Sequence, residues 1–328
     1  LVLATGLAVI AAFMAILIAG QGMTLGLVGL GRMGANMATR LLNAGHRMVV
    51  HDLDPAAAGP LEALGARSAA ALDELLALLQ PPRAVWIMVP AGDATQATID
   101  ALAGGLDAGD VVIDGGNSMY RDSVRRAAAL RECGVHFIDV GTSGGIWGLR
   151  EGYSLMVGGD DEAVQRMNPI FSALAPGPDR GWAHVGPAGA GHFVKMIHNG
   201  IEYGLMQAYA EGFAVLRARR EFDLDLAAIA EVWRHGSVVR SWLLDLTADV
   251  LSKDAELQDV APWVADSGEG RWTVAEAIDL DVPAPVMTLA LIQRLRSRDE
   301  NAWADRLLAA MRREFGGHAI RKGPVQGD

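Results

Sequence analysis

Residues 25–34 read LGLVGLGRMG, a short apolar run that leads into the spacing G-x-G-x-x-G. An apolar strand before the glycines and a helix after them are the setting in which this spacing binds a dinucleotide. The first glycine permits a tight turn, the second lets the backbone approach a pyrophosphate, and the third lets the helix pack on the strand. A glycine turn without a nucleotide is the alternative. We predict cofactor contacts from the loop residues Gly29, Leu30, Gly31, Arg32, Met33 and Gly34.

The acidic residue that accepts hydrogen bonds from a cofactor ribose is predicted at Asp52, 23 residues after Gly29. No arginine follows it, because the next residues are Leu53, Asp54 and Pro55. A 2′-phosphate would meet carboxylates there, so the sequence favours NAD over NADP. A surface acid at the end of a strand is the alternative for Asp52.

Short apolar runs alternate with helical stretches up to residue 187, which predicts an α/β, doubly wound parallel sheet (Rossmann-like) with helices on both faces. The pattern then becomes helical throughout. We therefore predict a dinucleotide-binding domain over residues 23–187 and an all-α domain over residues 188–328. The predicted strands are Leu25–Leu30, Met48–Val50, Ala84–Val89, Val111–Ile113, His136–Val140 and Ser154–Val157. The predicted helices are Met33–Asn43, Ala69–Leu79, Val124–Arg131, Asp161–Leu174, His192–Arg219, Leu226–His235, Ser241–Ser252, Val274–Asp279, Val286–Arg296 and Ala302–Phe315.

Residues 1–22 form an apolar extension that we do not expect to belong to the fold. Leu1–Gly20 carries no charge and is long enough to span a bilayer. However, Lys and Arg are both absent before Arg32, unlike a signal peptide, and the dinucleotide strand follows without a linker. A membrane anchor is the alternative.

Composition excludes several classes of protein. The chain has 328 residues, 51% hydrophobic and 20% charged, which excludes intrinsic disorder and suits two domains. The net charge is −11 without a basic run, so we expect no nucleic-acid partner, and an anionic ligand would need locally clustered Arg and Lys. Cys133 is the only cysteine, and no Cys/His cluster has the spacing of a zinc site. We expect a cytoplasmic protein without a metal.

A polar stripe runs along one face of the predicted helix His192–Arg219. Apolar residues occupy most intervening positions, which predicts a helix that is buried on most sides. Buried charges would be costly unless they served one another or a ligand. Lys195 and Glu202 are about 10 Å apart along the axis, a separation that suits a base and an acid at opposite ends of a small substrate; a solvated face is the alternative. The stripe consists of Lys195, His198, Asn199, Glu202 and Tyr203, and the apolar positions are Val194, Met196, Ile197, Ile201 and Leu205.

Two glycine-rich loops follow predicted strands, DGGNS at residues 114–118 and GTSGG at residues 141–145. In open α/β sheets ligands bind beyond the carboxyl ends of the strands, so both loops are expected beside a substrate. Asn117 and Ser143 offer side-chain hydrogen bonds, whereas Gly144 and Gly145 let backbone amides come close. Ordinary turns are the alternative.

Five sequence blocks carry a family resemblance: GHFVKMIHNGIEYG at 191–204, DGGNSMY at 114–120, SGG at 143–145, GRWT at 270–273 with VP at 282–283, and RREFGGH at 312–318. Together they resemble decarboxylating 6-phosphogluconate dehydrogenase. The resemblance extends from about Met23 to Ile320, and the length is similar to the short bacterial, NAD-preferring branch. Before Trp272, Ser267 and Glu269 replace a Lys and a Thr of the longer branch's phosphate pocket. We expect Glu269 to face away from a phosphate.

The resemblance implies roles for individual residues. Lys195 resembles the general base and Glu202 the general acid. The cofactor contacts it adds are Val89, Pro90, Ala91 and Asn117. The substrate positions are Asn117, Ser143, Gly144, Gly145, His198 and Asn199, with Tyr203, Arg294, Arg312 and His318 on the phosphate side. In the family the last two residues reach the neighbouring subunit's site, which implies a homodimer or homotetramer with shared sites.

The implied reaction is oxidation and decarboxylation of 6-phospho-D-gluconate to ribulose 5-phosphate and CO2. Lys195 would have to be neutral to accept the hydroxyl proton, and burial with nearby cations is expected to depress its pKa. The first alternative is a β-hydroxyacid dehydrogenase of the 3-hydroxyisobutyrate type, which has no use for a distal Arg/His cluster or for Glu202. The second is a nucleotide-binding protein with an inactive site.

Overall fold

The structure is a computed structural model that describes residues 22–316, and side chains up to residue 314. Residues 1–21, and with them most of the predicted apolar extension, lie outside the described residues. Among the helices of the described part, none is both long and apolar enough to cross a membrane. The strands are β1 (Thr24–Val28), β2 (Arg47–His51), β3 (Arg67–Ser68), β4 (Ala84–Ile87), β5 (Val111–Asp114), β6 (His136–Ser143), β7 (Ser154–Gly159) and β8 (Trp182–Gly186).

These strands form one sheet in the order β3-β2-β1-β4-β5-β6-β7-β8. All neighbouring strands are parallel except β6 and β7. The chain order reverses direction between β1 and β4, which opens a crevice at the carboxyl ends of those two strands. The predicted doubly wound sheet is therefore confirmed, with one antiparallel pair, because only residues 144–153 connect β6 to β7 and a parallel return needs a longer crossover.

Helices cover both faces of this sheet. The sequence prediction missed β3, β8, the short helices Gly59–Glu62 and Gly148–Glu151, and the helix Asp93–Ala103, whose apolar periodicity is weak. The helices of this part are α1 (Arg32–Asn43), α2 (Gly59–Glu62), α3 (Leu72–Leu78), α4 (Asp93–Ala103), α5 (Tyr120–Glu132), α6 (Gly148–Glu151) and α7 (Asp161–Leu174), with 3-10 turns at Pro55–Ala58 and Gly145–Trp147.

The core of the sheet part lies in two layers, one on each face. Successive strand residues point to opposite faces, so Trp86 and Ile113 pack in one layer while Val85 and Val112 pack in the other. All four side chains are fully buried. Burial of one such side chain stabilises the fold by about 1.5–3 kcal/mol, so continuous apolar strands suit a sheet that is covered on both faces.

The remaining elements are helices, as predicted. The chain divides into two compact units between His198 and Asn199, inside the longest helix; the predicted domain boundary after residue 187 stays a prediction. The second unit has two small apolar clusters, one around Phe213 and Leu244 and one around Tyr203 and Leu291. The helices are α8 (Ala190–Ala218), α9 (Leu226–Arg234), α10 (Trp242–Lys253), α11 (Glu269–Asp279), α12 (Pro285–Arg296) and α13 (Trp303–Gly316), with a 3-10 turn at Arg220–Phe222.

Candidate active site

The glycine loop lies between β1 and α1, as the sequence predicts. Gly29 has a φ of +95°, and a Cβ there would be 2.6 Å from the Met88 carbonyl oxygen, so only glycine fits. A Cβ at Gly34 would be 2.0 Å from the carbonyl oxygen of Gly29, which explains the third glycine. By contrast, a Cβ at Gly31 would meet nothing within 4 Å. Open space beside Gly31 at the amino end of α1 fits a pyrophosphate that approaches the backbone.

Asp52 directly follows β2 and is half-buried. Its Oδ2 atom accepts a hydrogen bond from the Leu30 amide at 2.6 Å, and its Oδ1 atom accepts one from the Asp54 amide at 2.8 Å. The carboxylate therefore lies against the glycine loop and also holds that loop in place. A carboxylate has about four acceptor positions, so two remain for ribose hydroxyls.

The predicted ligand loops leave neighbouring parallel strands at one edge of the sheet. The glycine loop follows β1, Val89–Ala91 follows β4, and Asn117 follows β5, while Ser143 ends β6. Asn117 is exposed and Ser143 is half-buried. Because the carboxyl ends of β1, β4, β5 and β6 are adjacent in the sheet, the structure brings these residues to the same edge.

The loop after β6 packs on Tyr153, which the sequence analysis did not single out. A Cβ at Gly148 would be 2.0 Å from the ring, and a Cβ at Gly144 would be 3.1 Å from it. The hydroxyl of Tyr153 is buried and has no hydrogen-bond partner among the described residues. Burial raises the pKa of Tyr153 to about 12, so the hydroxyl stays protonated. The ring thus supports the segment that contains Gly144 and Gly145.

A carboxylate fixes the start of α8. Asp139, on β6, is fully buried, and its two oxygens accept from the Gly189 amide at 2.6 Å and from the His192 amide at 2.7 Å. Gly189 directly precedes α8 and His192 lies in its first turn, where amides have no partner inside the helix. The Nδ1 atom of His192 is hydrogen-bonded to the Ser123 hydroxyl at 2.7 Å. Sequence periodicity carries no sign of these contacts, because the partners are 50 or more residues apart.

Lys195 lies in the first unit, against β6. A Cβ at Gly141 would be 2.3 Å from the Cβ of Lys195, so the lysine can lie there only because residue 141 is glycine. Lys195 is 8% exposed, and its Nζ atom is 3.4 Å from Nδ1 of the half-buried His198. Gly141 precedes Ser143 by two residues on β6. The structure therefore places the buried amine of Lys195 at the edge of the sheet where the loops leave.

The second unit carries the rest of the polar stripe on α8. Asn199 is 8% exposed and Tyr203 is 7% exposed, and Glu202 is half-buried. In contrast, Ile201 is 52% exposed and Leu205 is 44% exposed. We expected the apolar residues of this helix to be buried. That expectation is wrong for Ile201, Leu205 and Val194, which are exposed, because the polar face is the covered one in this chain.

Tyr203 forms a second cluster with Arg294, within the second unit. The guanidinium carbon of Arg294 lies 3.6 Å from the centre of the Tyr203 ring, a cation–π contact. The hydroxyl of Tyr203 is buried and has no hydrogen-bond partner among the described residues. Glu269, the first residue of α11, is buried and accepts a hydrogen bond from the Ser267 hydroxyl at 2.5 Å. A buried hydroxyl without a partner fits a ligand oxygen beside the arginine.

Two further predicted residues lie near the chain's end. Arg312 is exposed on α13, and His318 lies outside the described residues. Over residues 22–316 there is no group of three or more His, Cys, Asp or Glu side chains that could hold a metal ion.

Family models match both parts of the chain. The NAD binding domain of 6-phosphogluconate dehydrogenase matches residues 24–186, and the C-terminal domain of 6-phosphogluconate dehydrogenase matches residues 191–322. The chain belongs to the 6-phosphogluconate dehydrogenase family. The resemblance carried by the helix stripe and the two glycine-rich loops is thereby confirmed.

We compared the chain with 6-phosphogluconate dehydrogenases of different length. The NAD(+)-dependent, decarboxylating 6-phosphogluconate dehydrogenase of Haloferax volcanii is 45% identical over 301 residues, which cover 92% of this chain and 99% of that protein. The structure of Plasmodium falciparum 6-phosphogluconate dehydrogenase matches with a TM-score of 0.78 at 28% identity, over 93% of this chain and 67% of that one. The chain thus has the length of a short family member.

A structure of 3-hydroxyisobutyrate dehydrogenase from Salmonella typhimurium has a TM-score of 0.70 at 24% identity, and it covers 85% of this chain and 95% of that one. At this identity the likeness concerns the fold alone. The fold is therefore shared between phosphogluconate and hydroxyisobutyrate dehydrogenases, and the residues at the site must separate the two.

Proposed function

We propose that the protein oxidises and decarboxylates 6-phospho-D-gluconate to ribulose 5-phosphate and CO2 and reduces NAD. The observation that carries this proposal is the buried Lys195 on Gly141, beside the edge where the ligand loops leave the sheet. A charged amine is costly to bury, so a buried lysine beside ligand loops indicates a chemical task. The Nζ atom of Lys195 lies 3.4 Å from Nδ1 of His198, an imidazole that carries no negative charge, and such a neighbour suits an amine that has to accept a proton.

NAD is the cofactor we propose, and it supplies an acceptor for the hydride that leaves carbon 3 of the substrate. The glycine loop and α1 would hold the pyrophosphate. Asp52 would accept hydrogen bonds from the ribose hydroxyls, and Val89–Ala91 would contact the nicotinamide half. The carboxylate of Asp52 and the exposed Leu53 beside it support NAD rather than NADP, because a 2′-phosphate would meet a negative charge without a cation from Leu53.

Lys195 would take the proton of the hydroxyl on carbon 3 while that carbon is oxidised to a ketone. As an ammonium, Lys195 would then donate a hydrogen bond to the ketone oxygen and stabilise the negative charge that forms there as CO2 leaves carbon 2. Glu202, about 10 Å further along the same helix, would protonate carbon 2 of the resulting enediol. The enediol would form when Lys195 gives its proton to the oxygen on carbon 3, and Lys195 would take that proton again when Glu202 protonates carbon 2 and the product ketone forms. Transfer of one proton through solvent from Lys195 to Glu202 would then restore both groups.

The remaining side chains would bind and orient the substrate. We propose that Asn117, Ser143, His198 and Asn199 hydrogen-bond its hydroxyls and carboxylate, with Gly144 and Gly145 offering backbone amides. The hydroxyl of Tyr203, which has no hydrogen-bond partner within residues 22–316, and the guanidinium of Arg294 support a phosphate site in the second unit.

Further cations would complete the phosphate site from a second chain. We propose a homodimer or homotetramer in which Arg312 and His318 of one subunit reach the site of another, so that residues 188–328 serve both substrate binding and association. Exposed apolar residues on α8, such as Ile201 and Leu205, support a large interface. We also propose a cytoplasmic enzyme, which the single free, exposed Cys133 supports.

Initial rates test the proposal directly. The purified protein would be assayed with 6-phospho-D-gluconate and with 3-hydroxyisobutyrate, each with NAD and with NADP, while CO2 release is followed. We expect NADH formation and equal CO2 release with 6-phospho-D-gluconate, and a far lower rate with 3-hydroxyisobutyrate. Faster oxidation of 3-hydroxyisobutyrate without CO2 would contradict the proposal.

A further inference from the structure

An Arg–Asp ion pair lies at each end of the neighbouring strands β4 and β5, and Arg126, in one of the two pairs, belongs to α5. At the carboxyl ends, Nη1 of Arg126 lies 3.0 Å from Oδ2 of Asp114. At the amino ends, Nη1 of Arg83 lies 3.0 Å from Oδ2 of Asp110. Both aspartates are fully buried, and four residues of strand separate them, or about 13 Å. Only the carboxyl-end pair adjoins the loops to which we assign ligand binding.

The guanidinium of Arg126 first fixes the loop after β5. Besides the ion pair, its Nη1 atom donates to the Ser118 hydroxyl at 3.3 Å. Asp114 completes this cluster, since its Oδ2 accepts from the Ser118 hydroxyl at 2.8 Å and its Oδ1 accepts from the Gly116 amide at 3.0 Å. Asn117, between these two anchored residues, is thereby held in place.

The same guanidinium also fixes the loop after β4. Its Nη2 atom donates to the Gly92 carbonyl at 3.2 Å, and its Nε atom donates to the Gln96 side chain at 3.1 Å. The two loops touch, because a Cβ at Gly116 would be 3.2 Å from the Val89 carbonyl oxygen. The side chain of Arg126 is 1% exposed, so water does not compete for these contacts.

We propose that Arg126 is a positioning residue that sets the loop Val89–Gly92 and the loop Gly115–Ser118 in one fixed relation. The inference rests on the proposed function, in which the first loop contacts the cofactor and Asn117 contacts both cofactor and substrate. A planar guanidinium can donate to both loops at once in fixed directions, whereas a lysine ammonium is a point charge on a flexible chain. A small misplacement of reacting groups lowers rates strongly.

The matched test compares Arg126→Lys with Arg83→Lys. Both variants keep the positive charge beside a buried aspartate of the same two strands. We expect Arg126→Lys to lower kcat/KM for 6-phospho-D-gluconate about ten- to a hundredfold and to raise the Kd for NADH several-fold, measured by fluorescence. Arg83→Lys should change both values less than about twofold. Equal effects of the two variants, or wild-type values in Arg126→Lys, would overturn the positioning role.

A double variant separates positioning from stability. Arg126→Met leaves Asp114 buried and unpaired, which destabilises the fold, whereas Arg126→Met with Asp114→Asn removes both charges. We expect the double variant to regain most of the thermal midpoint that Arg126→Met loses while kcat/KM stays at least about tenfold below wild type. Recovery of kcat/KM together with the midpoint would mean that Arg126 serves stability alone.

Failure of the proposed function would appear differently. Wild-type protein that does not turn over 6-phospho-D-gluconate would overturn the reaction, whereas NADH binding needs no turnover. The Kd for NADH in Arg126→Lys against Arg83→Lys then decides the positioning role on its own.

Discussion

The two units of this chain bury their apolar residues to very different degrees. In the sheet unit, long runs such as Val111–Ile113 are fully buried in two layers. In the helical unit the clusters are small, and most of the large apolar side chains that are exposed in the described residues belong to it, for example Val215 at 71% and Trp303 at 66%. In the sheet unit, helices of the same chain cover both faces of the sheet and bury its apolar residues. In the helical unit, apolar faces stay uncovered, which suits association with a further chain.

The division also runs between the two residues for which we propose catalytic roles, because Lys195 lies in the sheet unit and Glu202 in the helical unit. We predict that Lys195→Ala lowers the rate of hydride transfer by two to four orders of magnitude, about the range that a general base supplies. Glu202→Gln should spare oxidation more than release of ribulose 5-phosphate. The measurement is single-turnover NADH formation beside CO2 and product release.

Lys253→Ala is the matched control, because Lys253 pairs with Asp249 on the exposed side of α10 and should leave both rates unchanged. If Glu202→Gln lost hydride transfer as completely as Lys195→Ala, the assigned acid and base would be wrong.

Stability measurements sharpen the contrast in packing. Ile138→Ala removes a fully buried side chain of the sheet core and should lower the free energy of unfolding by about 2–5 kcal/mol. Ile201→Ala alters a side chain that is 52% exposed and should cost below about 0.5 kcal/mol in the isolated chain, yet weaken association. Urea denaturation gives the first quantity and analytical ultracentrifugation the second. Unaltered association in Ile201→Ala would remove this face from the proposed interface.

Subunit mixing tests whether the helical unit is completed by a partner. Loss of the Arg312 guanidinium should raise KM for 6-phospho-D-gluconate about ten- to a hundredfold, since a charge-assisted hydrogen bond contributes about 1.5–3 kcal/mol. At substrate levels far below that KM, Lys195→Ala subunits and Arg312→Ala subunits are each nearly inactive. Mixed together, they should recover part of the activity, because some sites in mixed oligomers would be intact. Subunit exchange without recovery would mean that each chain builds its own site.

Cofactor preference should depend on the sheet unit alone. Asp52→Ser with Leu53→Arg removes a carboxylate and adds a cation, so the ratio of kcat/KM for NAD to that for NADP should fall by about tenfold or more. Leu53→Ala is the control and should keep the preference for NAD. Wild-type protein that uses NADP as efficiently as NAD would contradict the assignment of Asp52.

The smallest effect concerns acid stability of the helical unit. Burial of Asp266 opposes its ionisation, but hydrogen bonds from Arg271 and from the Gly268 amide outweigh it and hold the pKa of Asp266 below its usual range. The stabilisation is therefore present at neutral pH and is lost as the pH falls through that lowered value. Thermal midpoints of wild type and Asp266→Asn should differ at about pH 7 and converge as the pH falls through the lowered pKa of Asp266. A difference that does not depend on pH would contradict this sign.

Local sequence signals predicted most of the fold. Apolar runs such as Val111–Ile113 and the glycine spacing that begins at Gly29 are patterns of residues close together in the chain. These local patterns are sufficient to predict β1, β4, β5 and the glycine loop. The helix Asp93–Ala103 was missed because only two large apolar side chains, Ile99 and Leu102, mark its buried face. The antiparallel direction of β7 depends on how far a connection must travel, which no strand signal encodes.

By itself the sequence determined the family, the parallel sheet with its helical second part, and the candidate residues from Gly29 to Arg294. Only the tertiary structure decided what those residues touch. Three contacts join different segments of the chain: Arg126 pairs with Asp114, Asp139 accepts hydrogen bonds at the start of α8, and Lys195 packs against Gly141. Such contacts form when the strands come to lie side by side. The hydrophobic pattern that favours this arrangement does not specify which polar side chains will pair, because the hydrophobic effect has no direction.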